Sequence, residues 1–173
     1  LEYRGYDSAG ICTNHDGALQ IAKKQGELKN RVDYPVVQGS DNSYYLTHLI
    51  NGESNKSGTL FIDYRIKKGM EASNCIIYGH NMNNEAMFGC LSDYEDENFF
   101  KMHPAFDVYI GEDHYLYKVF ALGTVSTDSF AYEYTFRGDG FMEFAKKALA
   151  MQPYDMGVTI DDINEASKII TLF

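Results

Sequence analysis

The chain has 173 residues, which is enough for one domain with a core of ordinary size. Its formal net charge of −10 argues against nucleic acid as a partner, because phosphate binding needs clustered lysine and arginine. No apolar run of about 18 residues is present, so the sequence predicts no membrane span. Cys12, Cys75 and Cys90 lack metal-ligand spacing and are interpreted as small buried hydrophobes. We therefore expect neither a metal nor a cofactor.

The first 30 residues differ from the rest of the chain. Strand-like runs at Ser8–Thr13 and Ala18–Lys23 flank Asn14-His15-Asp16-Gly17, a pattern typical of a β-hairpin. The opening run Leu-Glu-Tyr-Arg-Gly-Tyr-Asp-Ser-Ala-Gly-Ile resembles the glutaminase domain of glucosamine-6-phosphate synthase, and the similarity fades after residue 28. That family's catalytic cysteine lies upstream of this stretch, so no catalytic residue carries over. We interpret residues 1–30 as an extraneous segment and residues 31–173 as the domain, with a genuine N-terminal addition as the alternative.

Short strands dominate the prediction from Arg31 onward. Aromatic and β-branched runs between turn signals predict strands at 33–38, 59–63, 107–110, 115–122 and 168–172, and another that ends at His80. Pro35 favours an edge strand or the start of a strand. Many short strands with few helices predict a mainly β fold, a barrel with short helical insertions.

Helices are predicted only after His80. Met87, Phe88 and Leu91 would lie on one helical face. Ser92-Asp93-Tyr94-Glu95 is a capping-box pattern for a second short helix that Pro104 must end. The run from Phe141 to Leu149 has the periodicity of an amphipathic helix, with Asp139 able to cap its start.

Six blocks of residues 31–173 resemble class B sortases, in the same order along the chain. They are Asp33–Gln38, Asp41–Leu46, Gly58–Arg65, Ile76–Met82, the run containing Met87, Phe88, Leu91 and Tyr94, and Lys168–Leu172. The resemblance implies a closed sortase-like β-barrel with a groove for a sorting-signal peptide of the type Asn-Pro-x-Thr-Gly. It also implies a cysteine transpeptidase that cleaves the Thr–Gly bond and transfers a surface protein to an amine of a cell-wall precursor. Such an enzyme would work outside the plasma membrane of a Gram-positive bacterium, tethered by an N-terminal anchor that is missing here.

The residue types of that family suit this chemistry. A cysteine thiolate is the nucleophile and divides the transfer into two easier steps. A histidine titrates close enough to neutral pH to protonate the leaving amine, and an arginine directs several donors at developing negative charge. By its motif, His80 matches the catalytic histidine. Spacing alone would favour a structural histidine, and the other four histidines are interpreted as surface or structural residues.

The nucleophile of the family has no counterpart within the sequence. A Thr-Leu-Ser-Thr-Cys motif ends a core strand in the family, whereas this chain reads Thr171-Leu172-Phe173, so the cysteine position falls two residues beyond Phe173 and the arginine lies further on. Cys75 precedes His80 by an odd number of residues on one strand, which turns the two side chains to opposite faces. We therefore expect a barrel that is incomplete at its C-terminal side and inactive as given.

Three further residues are predicted to bind the peptide. Tyr78 shares a strand face with His80, and Asn42 and Leu46 lie in a block that, by the resemblance, helps to form the peptide pocket. A turn asparagine and a core leucine are equally good interpretations of Asn42 and Leu46. Two other functions stay open: a non-catalytic peptide-binding barrel, and a sugar-phosphate amidotransferase supported only by the opening segment.

Overall fold

A computed structural model describes residues 13–15, 18–23, 32–82, 86–110 and 112–173. The strands are β1 (Thr13–His15), β2 (Ala18–Lys23), β3 (Val32–Gln38), β4 (Leu60–Ile62), β5 (Asn74–Tyr78), β6 (Ala105–Ile110), β7 (Asp113–Lys118) and β8 (Ile169–Leu172). The α-helices are α1 (Glu97–Met102) and α2 (Gly140–Leu149), and single 3₁₀ turns occupy several of the loops. The predicted strands within the described residues are confirmed, although β7 ends four residues earlier than the sequence indicated and the strand predicted to end at His80 ends at Tyr78. Residues 8–12 of the first predicted strand lie outside the described residues.

The strands form one mixed sheet in the order β7-β6-β2-β3-β4-β5-β8, with β1 paired to β2. The β3/β4 and β5/β8 pairs are parallel and the others antiparallel. Among the described strands, β7 and β8 end the hydrogen-bonded path and do not pair with each other. The fold is therefore rich in β-structure as predicted, but the predicted closure of the barrel is not confirmed.

The predicted N-terminal hairpin is present in the described residues. His15 pairs with Ala18, and Asp16 and Gly17 between them lie outside the described residues. Strand β2 continues the sheet, since it pairs with β3 on one side and with β6 on the other. Part of the segment that we interpret as extraneous thus contributes strands to the sheet, and its origin stays a prediction.

Pro35 lies in a strand with neighbours on both sides, so the prediction of an edge strand is wrong. The β2/β3 pairing includes Leu19↔Val36 and Lys23↔Val32, and the parallel pairing with β4 begins only at Val36. Proline has no N–H to donate, and it is tolerated here because it precedes the stretch that is paired on both sides.

The core lies around β4, β5 and β8, the three strands at one end of the sheet. All residues of β4 and β8 are buried, and β5 is buried up to Tyr78. Such continuous burial, rather than alternation, is typical of strands covered on both faces. A second cluster forms where Phe141, Phe144 and Ala145 of α2 pack against Ile169.

The helix predictions divide into two that are confirmed, one of them with a different cap, and one that is wrong. Helix α2 is confirmed, although Asp139 makes no side-chain cap. No helix carries Met87, which has a φ of 52° and forms a bridge with Asn81, so the chain turns back there. The second short helix is α1, and its cap is Asp96, whose carboxylate accepts from the backbone N–H of Asn98, rather than Ser92.

Candidate active site

His80 lies two residues after the end of β5 and begins a loop that folds back on itself. The backbone N–H of Phe88 donates to the His80 carbonyl at 3.1 Å, and Asn81 bridges to Met87. These contacts fix the backbone on both sides of the histidine. The side chain is half-buried, and its Nε2 lies 2.6 Å from the backbone carbonyl oxygen of Leu46.

Leu46 ends a short 3₁₀ turn, Tyr44–Leu46, that β4 holds in place. The backbone N–H of Thr59 donates to the Tyr45 carbonyl at 2.9 Å, and the Thr59 hydroxyl donates to the His48 carbonyl at 3.0 Å. The structure therefore brings Leu46 to His80 through its main chain. A role for the Leu46 side chain in binding a peptide stays a prediction.

Tyr78 shares the site with His80, but its hydroxyl is already engaged. It donates to Oδ2 of Asp63 at 2.9 Å. Asp63 is fully buried, and Arg65 binds it through two side-chain contacts, Nε to Oδ1 at 2.9 Å and a terminal nitrogen to Oδ2 at 2.6 Å. The guanidinium also lies 4.9 Å from the centre of the Tyr134 ring, within cation–π range.

The charges of this network determine its protonation. Burial by itself would raise the pKa of the Asp63 carboxyl, but hydrogen bonds from Arg65 and Tyr78 outweigh it, and the pKa lies below its usual value. Burial, followed by the nearby Asp63 charge, raises the pKa of the Tyr78 hydroxyl. Tyr78 is therefore a hydrogen-bond donor and not an acid at neutral pH. Sequence reasoning assigned Asp63 and Arg65 no role, although an aspartate and an arginine two residues apart after a buried strand were a usable signal.

Asn42 connects its loop to a distant part of the chain, a role that neither of its two interpretations described. Its side-chain oxygen accepts from the backbone N–H of Tyr64 at 2.9 Å and so connects the loop to the end of β4. The neighbouring Asp41 accepts from the backbone N–H groups of Ser43 and Tyr44 at 2.7 and 2.8 Å. The structure does not bring the Asn42 side chain into hydrogen-bond contact with His80, and peptide binding by Asn42 stays a prediction.

The aromatic ring of Phe173 packs beside Tyr78. The two ring centroids are 6.0 Å apart, and the ring of Tyr132 stacks on Phe173 at 4.0 Å and nearly parallel. The Phe173 carbonyl accepts from the backbone N–H of Gly79 at 2.8 Å, so the β5/β8 pairing continues to the residue before His80.

Neither cysteine in the described residues is placed as a nucleophile. Cys75 and Cys90 are both buried and free. Burial, and to a smaller extent the charge of Asp63, raises the pKa of the Cys75 thiol to about 12, so it stays protonated at neutral pH. Cys12 lies outside the described residues.

Two cavities in the described part of the chain differ in their relation to His80. The larger, about 540 Å³, lies between β7 and β8 beside Phe144 of α2. The smaller, about 370 Å³, is lined mainly by apolar residues that include Pro35, Ile50 and Met87. Met87 belongs to the loop that begins at His80, so the smaller cavity is the one beside the candidate site.

Within the described residues, neither α-helix has the length and apolar character that a bilayer span requires. No group of three or more potential metal ligands is found among the same residues.

Two curated relatives that match most of this chain are named sortase B. Sortase B of Listeria monocytogenes is 34% identical over 146 residues, which are 84% of this chain and 58% of the relative. Sortase B of Staphylococcus aureus is 28% identical over 145 residues, which are 82% of this chain and 57% of the relative. The chain thus spans less than two thirds of the length of these relatives. No protein-family model matches it.

Solved structures show the same similarity. A Bacillus anthracis protein similar to sortase B is 30% identical, with a TM-score of 0.75 over 90% of this chain and 70% of that one. A Staphylococcus aureus sortase B–substrate complex is 26% identical, with a TM-score of 0.73 over 88% of this chain and 68% of that one. A sortase B complexed with triglycine has the same identity and TM-score, over 88% of this chain and 69% of that one.

The sheet-rich fold of this chain is thus similar to that of solved sortase B structures. The chain belongs to the sortase B family. A separate, short similarity joins 30 residues, 17% of this chain, to 5% of the glutamine–fructose-6-phosphate aminotransferase of Zymomonas mobilis at 63% identity. The resemblance of the opening segment to that enzyme is confirmed, and it is limited to a short stretch.

Proposed function

We propose that this chain provides the peptide-binding surface and the acid–base residue of a class B sortase. In the proposed reaction, a cysteine thiolate attacks the threonine carbonyl of an Asn-Pro-x-Thr-Gly peptide, and the Thr–Gly amide bond breaks. The glycine amine leaves with a proton from His80, and the peptide remains as a thioester. An amine of a cell-wall precursor then attacks the thioester carbonyl, gives a proton back to His80 and releases the thiolate.

The parallel pairing of β5 with β8, which reaches the residue before His80, is the observation that carries this proposal. The parallel register pairs Ile77 with Leu172. Continued for three residues, this register sets His80 level with the position two residues after Phe173. That is the position at which the family motif, aligned on Thr171 and Leu172, has its cysteine. Side chains at Phe173 and at that position share a strand face, as do those of Tyr78 and His80, because the period of a strand is two.

The partners of the proposed enzyme are a sorting-signal peptide and an amine. Solved sortase B structures include a complex with a substrate and a complex with triglycine. For this chain we propose Tyr78, Asn42 and Leu46 as residues that contact the peptide. We also propose that the protein is located at the outer face of the plasma membrane of a Gram-positive bacterium. The family relationship supports these assignments.

The chain by itself is proposed to bind the peptide without cleaving it. The described cysteines are buried, and Cys75 holds its proton at neutral pH. These same observations favour the second candidate function, a non-catalytic peptide-binding module.

Binding and turnover separate these possibilities. A fluorescent Asn-Pro-x-Thr-Gly peptide is titrated with the chain, and its cleavage is followed by mass spectrometry with and without triglycine as the amine. We expect saturable binding, weaker binding of a peptide with threonine and glycine exchanged, and no cleavage. Cleavage would contradict the proposed inactivity of the chain, and equal binding of the two peptides would contradict the proposed peptide site.

A further inference from the structure

The hydrogen bond between His80 and Leu46 defines which ring nitrogen of the histidine carries a proton. A backbone carbonyl oxygen can only accept, so Nε2, which lies 2.6 Å from the Leu46 oxygen, must be the protonated nitrogen of a neutral ring. The other nitrogen, Nδ1, is then the one with a free lone pair. In the charged ring Nδ1 also carries a proton, and it is the nitrogen that can give it away.

The backbone at Gly58 approaches the Leu46 carbonyl very closely. Gly58 has a φ of +58°, in the left-handed region that favours glycine. A Cβ atom at this residue would overlap the Tyr45 carbonyl oxygen and would lie 2.7 Å from the Leu46 carbonyl oxygen. Both oxygens are in use, since Tyr45 accepts from the N–H of Thr59 and Leu46 accepts from His80.

We propose that Gly58 is a positioning residue for His80. Because Gly58 has no side chain, the Leu46 carbonyl lies where it accepts a hydrogen bond from Nε2. Nδ1 is then the nitrogen that exchanges protons with the thiol and the amine. The inference rests on the proposed function for its chemistry, because it states which nitrogen of the acid–base residue works. Its structural part concerns only the resting state of the ring and can be measured without peptide or turnover.

Gly138 offers a matched control. Its φ is +51°, close to that of Gly58, but a Cβ atom there would meet nothing within 4 Å. Gly58→Ala and Gly138→Ala therefore introduce the same left-handed alanine strain. Only Gly58→Ala adds the clash with the carbonyl groups of the 3₁₀ turn.

The test is the tautomer of His80, read by long-range ¹H–¹⁵N correlation spectra of the labelled chain. His80→Gln identifies the signals of His80 among those of the five histidines. We expect the neutral ring to be protonated at Nε2 in the parent and in Gly138→Ala. In Gly58→Ala we expect this preference to fall about fivefold, as for the loss of one ordinary hydrogen bond.

Two results would overturn the inference: a parent ring protonated at Nδ1, or a folded Gly58→Ala chain whose His80 spectrum equals that of the parent. Should Gly58→Ala not fold, Gly58→Asn takes its place, since asparagine tolerates positive φ better but adds the same Cβ. If neither Gly58 variant folds although Gly138→Ala does, the tautomer of His80 in the parent spectrum alone decides whether the inference stands. Absent peptide binding would overturn the proposed function and leave this result standing, because the spectra are recorded without peptide.

Discussion

At the scale of single residues, Asp63 contributes both to the candidate site and to the stability of the fold. Its carboxylate is fully buried and accepts from the Arg65 guanidinium and from the Tyr78 hydroxyl. A buried charge is tolerated only when its partners satisfy it, so removing a partner costs more than an exposed ion pair would suggest. The same hydrogen bond fixes the ring of Tyr78, which shares a strand face with His80.

The first prediction concerns the arginine of this network. Arg65→Met leaves the Asp63 carboxylate buried with one donor fewer, and we expect the free energy of unfolding to fall by about 3 kcal/mol. Arg137→Met is the control, because Arg137 is exposed, and we expect a change within about 0.5 kcal/mol. Urea unfolding followed by circular dichroism measures both. Equal effects of the two substitutions would show that the pair between Arg65 and the buried Asp63 does not stabilise the fold.

The second prediction concerns pH. The pKa of Asp63 is lowered in the folded chain, so its contribution to stability is complete above the pKa of an unfolded aspartate, about 4, and is lost as pH falls below that value. Asp63→Asn lacks this contribution at every pH. We therefore expect the parent to be more stable than Asp63→Asn at pH 7 and the difference to shrink at pH 3, in urea unfolding at both values. A difference that is the same at both pH values would contradict the assignment.

At the scale of elements, the pairing of β5 with β8 positions His80, and Asn74 holds the start of that pairing. The Asn74 side chain is fully buried, accepts from the Thr171 hydroxyl at 2.8 Å and donates to the Glu133 carbonyl at 2.8 Å. It thereby connects β5, β8 and the loop before α2. The pairing at the ends of β5 and β8, near His80, therefore depends on the hydrogen bonds that Asn74 makes at the beginning of the two strands.

The third prediction compares the two partners in that network. Asn74→Ala removes both hydrogen bonds and opens a cavity, and we expect it to lower the free energy of unfolding by about 3 kcal/mol. Thr171→Val removes one hydrogen bond without changing the shape, and we expect about 1 kcal/mol. Thermal and urea unfolding of the two variants test the order. A larger effect of Thr171→Val would mean that the bond to Glu133 contributes nothing.

Local sequence patterns predicted most elements because each depends on residues close together in the chain. The periodicity from Phe141 to Leu149 gives α2, and the buried runs give β4, β5 and β8. The turn at Met87 was missed, because its positive φ serves a bridge to Asn81 that no helical period reveals.

The candidate site was predictable only in part, for the same reason. The motif around His80 predicts it as the acid–base residue, and that role stays a prediction. The Leu46 carbonyl that binds His80 lies 34 residues away from it in the chain. Tyr78, which donates a hydrogen bond to Asp63, lies 15 residues away from Asp63. Both contacts therefore arise from the fold. Sequence reasoning placed Leu46 and Tyr78 near the site but not the atoms through which they act.

At the scale of the whole molecule, the described part of the chain has two distinct places where a ligand could lie. The larger cavity separates β7 from β8, the two ends of the sheet path, and the smaller one borders the loop that begins at His80. We assign the peptide to the surface around His80, where Tyr78 and Leu46 also lie, and not to the larger cavity.

Chemical-shift mapping with an Asn-Pro-x-Thr-Gly peptide tests this central claim most directly. The labelled chain is titrated with the peptide, and the amide signals are followed in ¹H–¹⁵N spectra. We predict saturable shifts at Leu46, Tyr78 and His80 and unchanged signals at Phe144, which borders the larger cavity. Shifts confined to that cavity, or no shifts at saturating peptide, would contradict the claim that His80 and its neighbours form the peptide site.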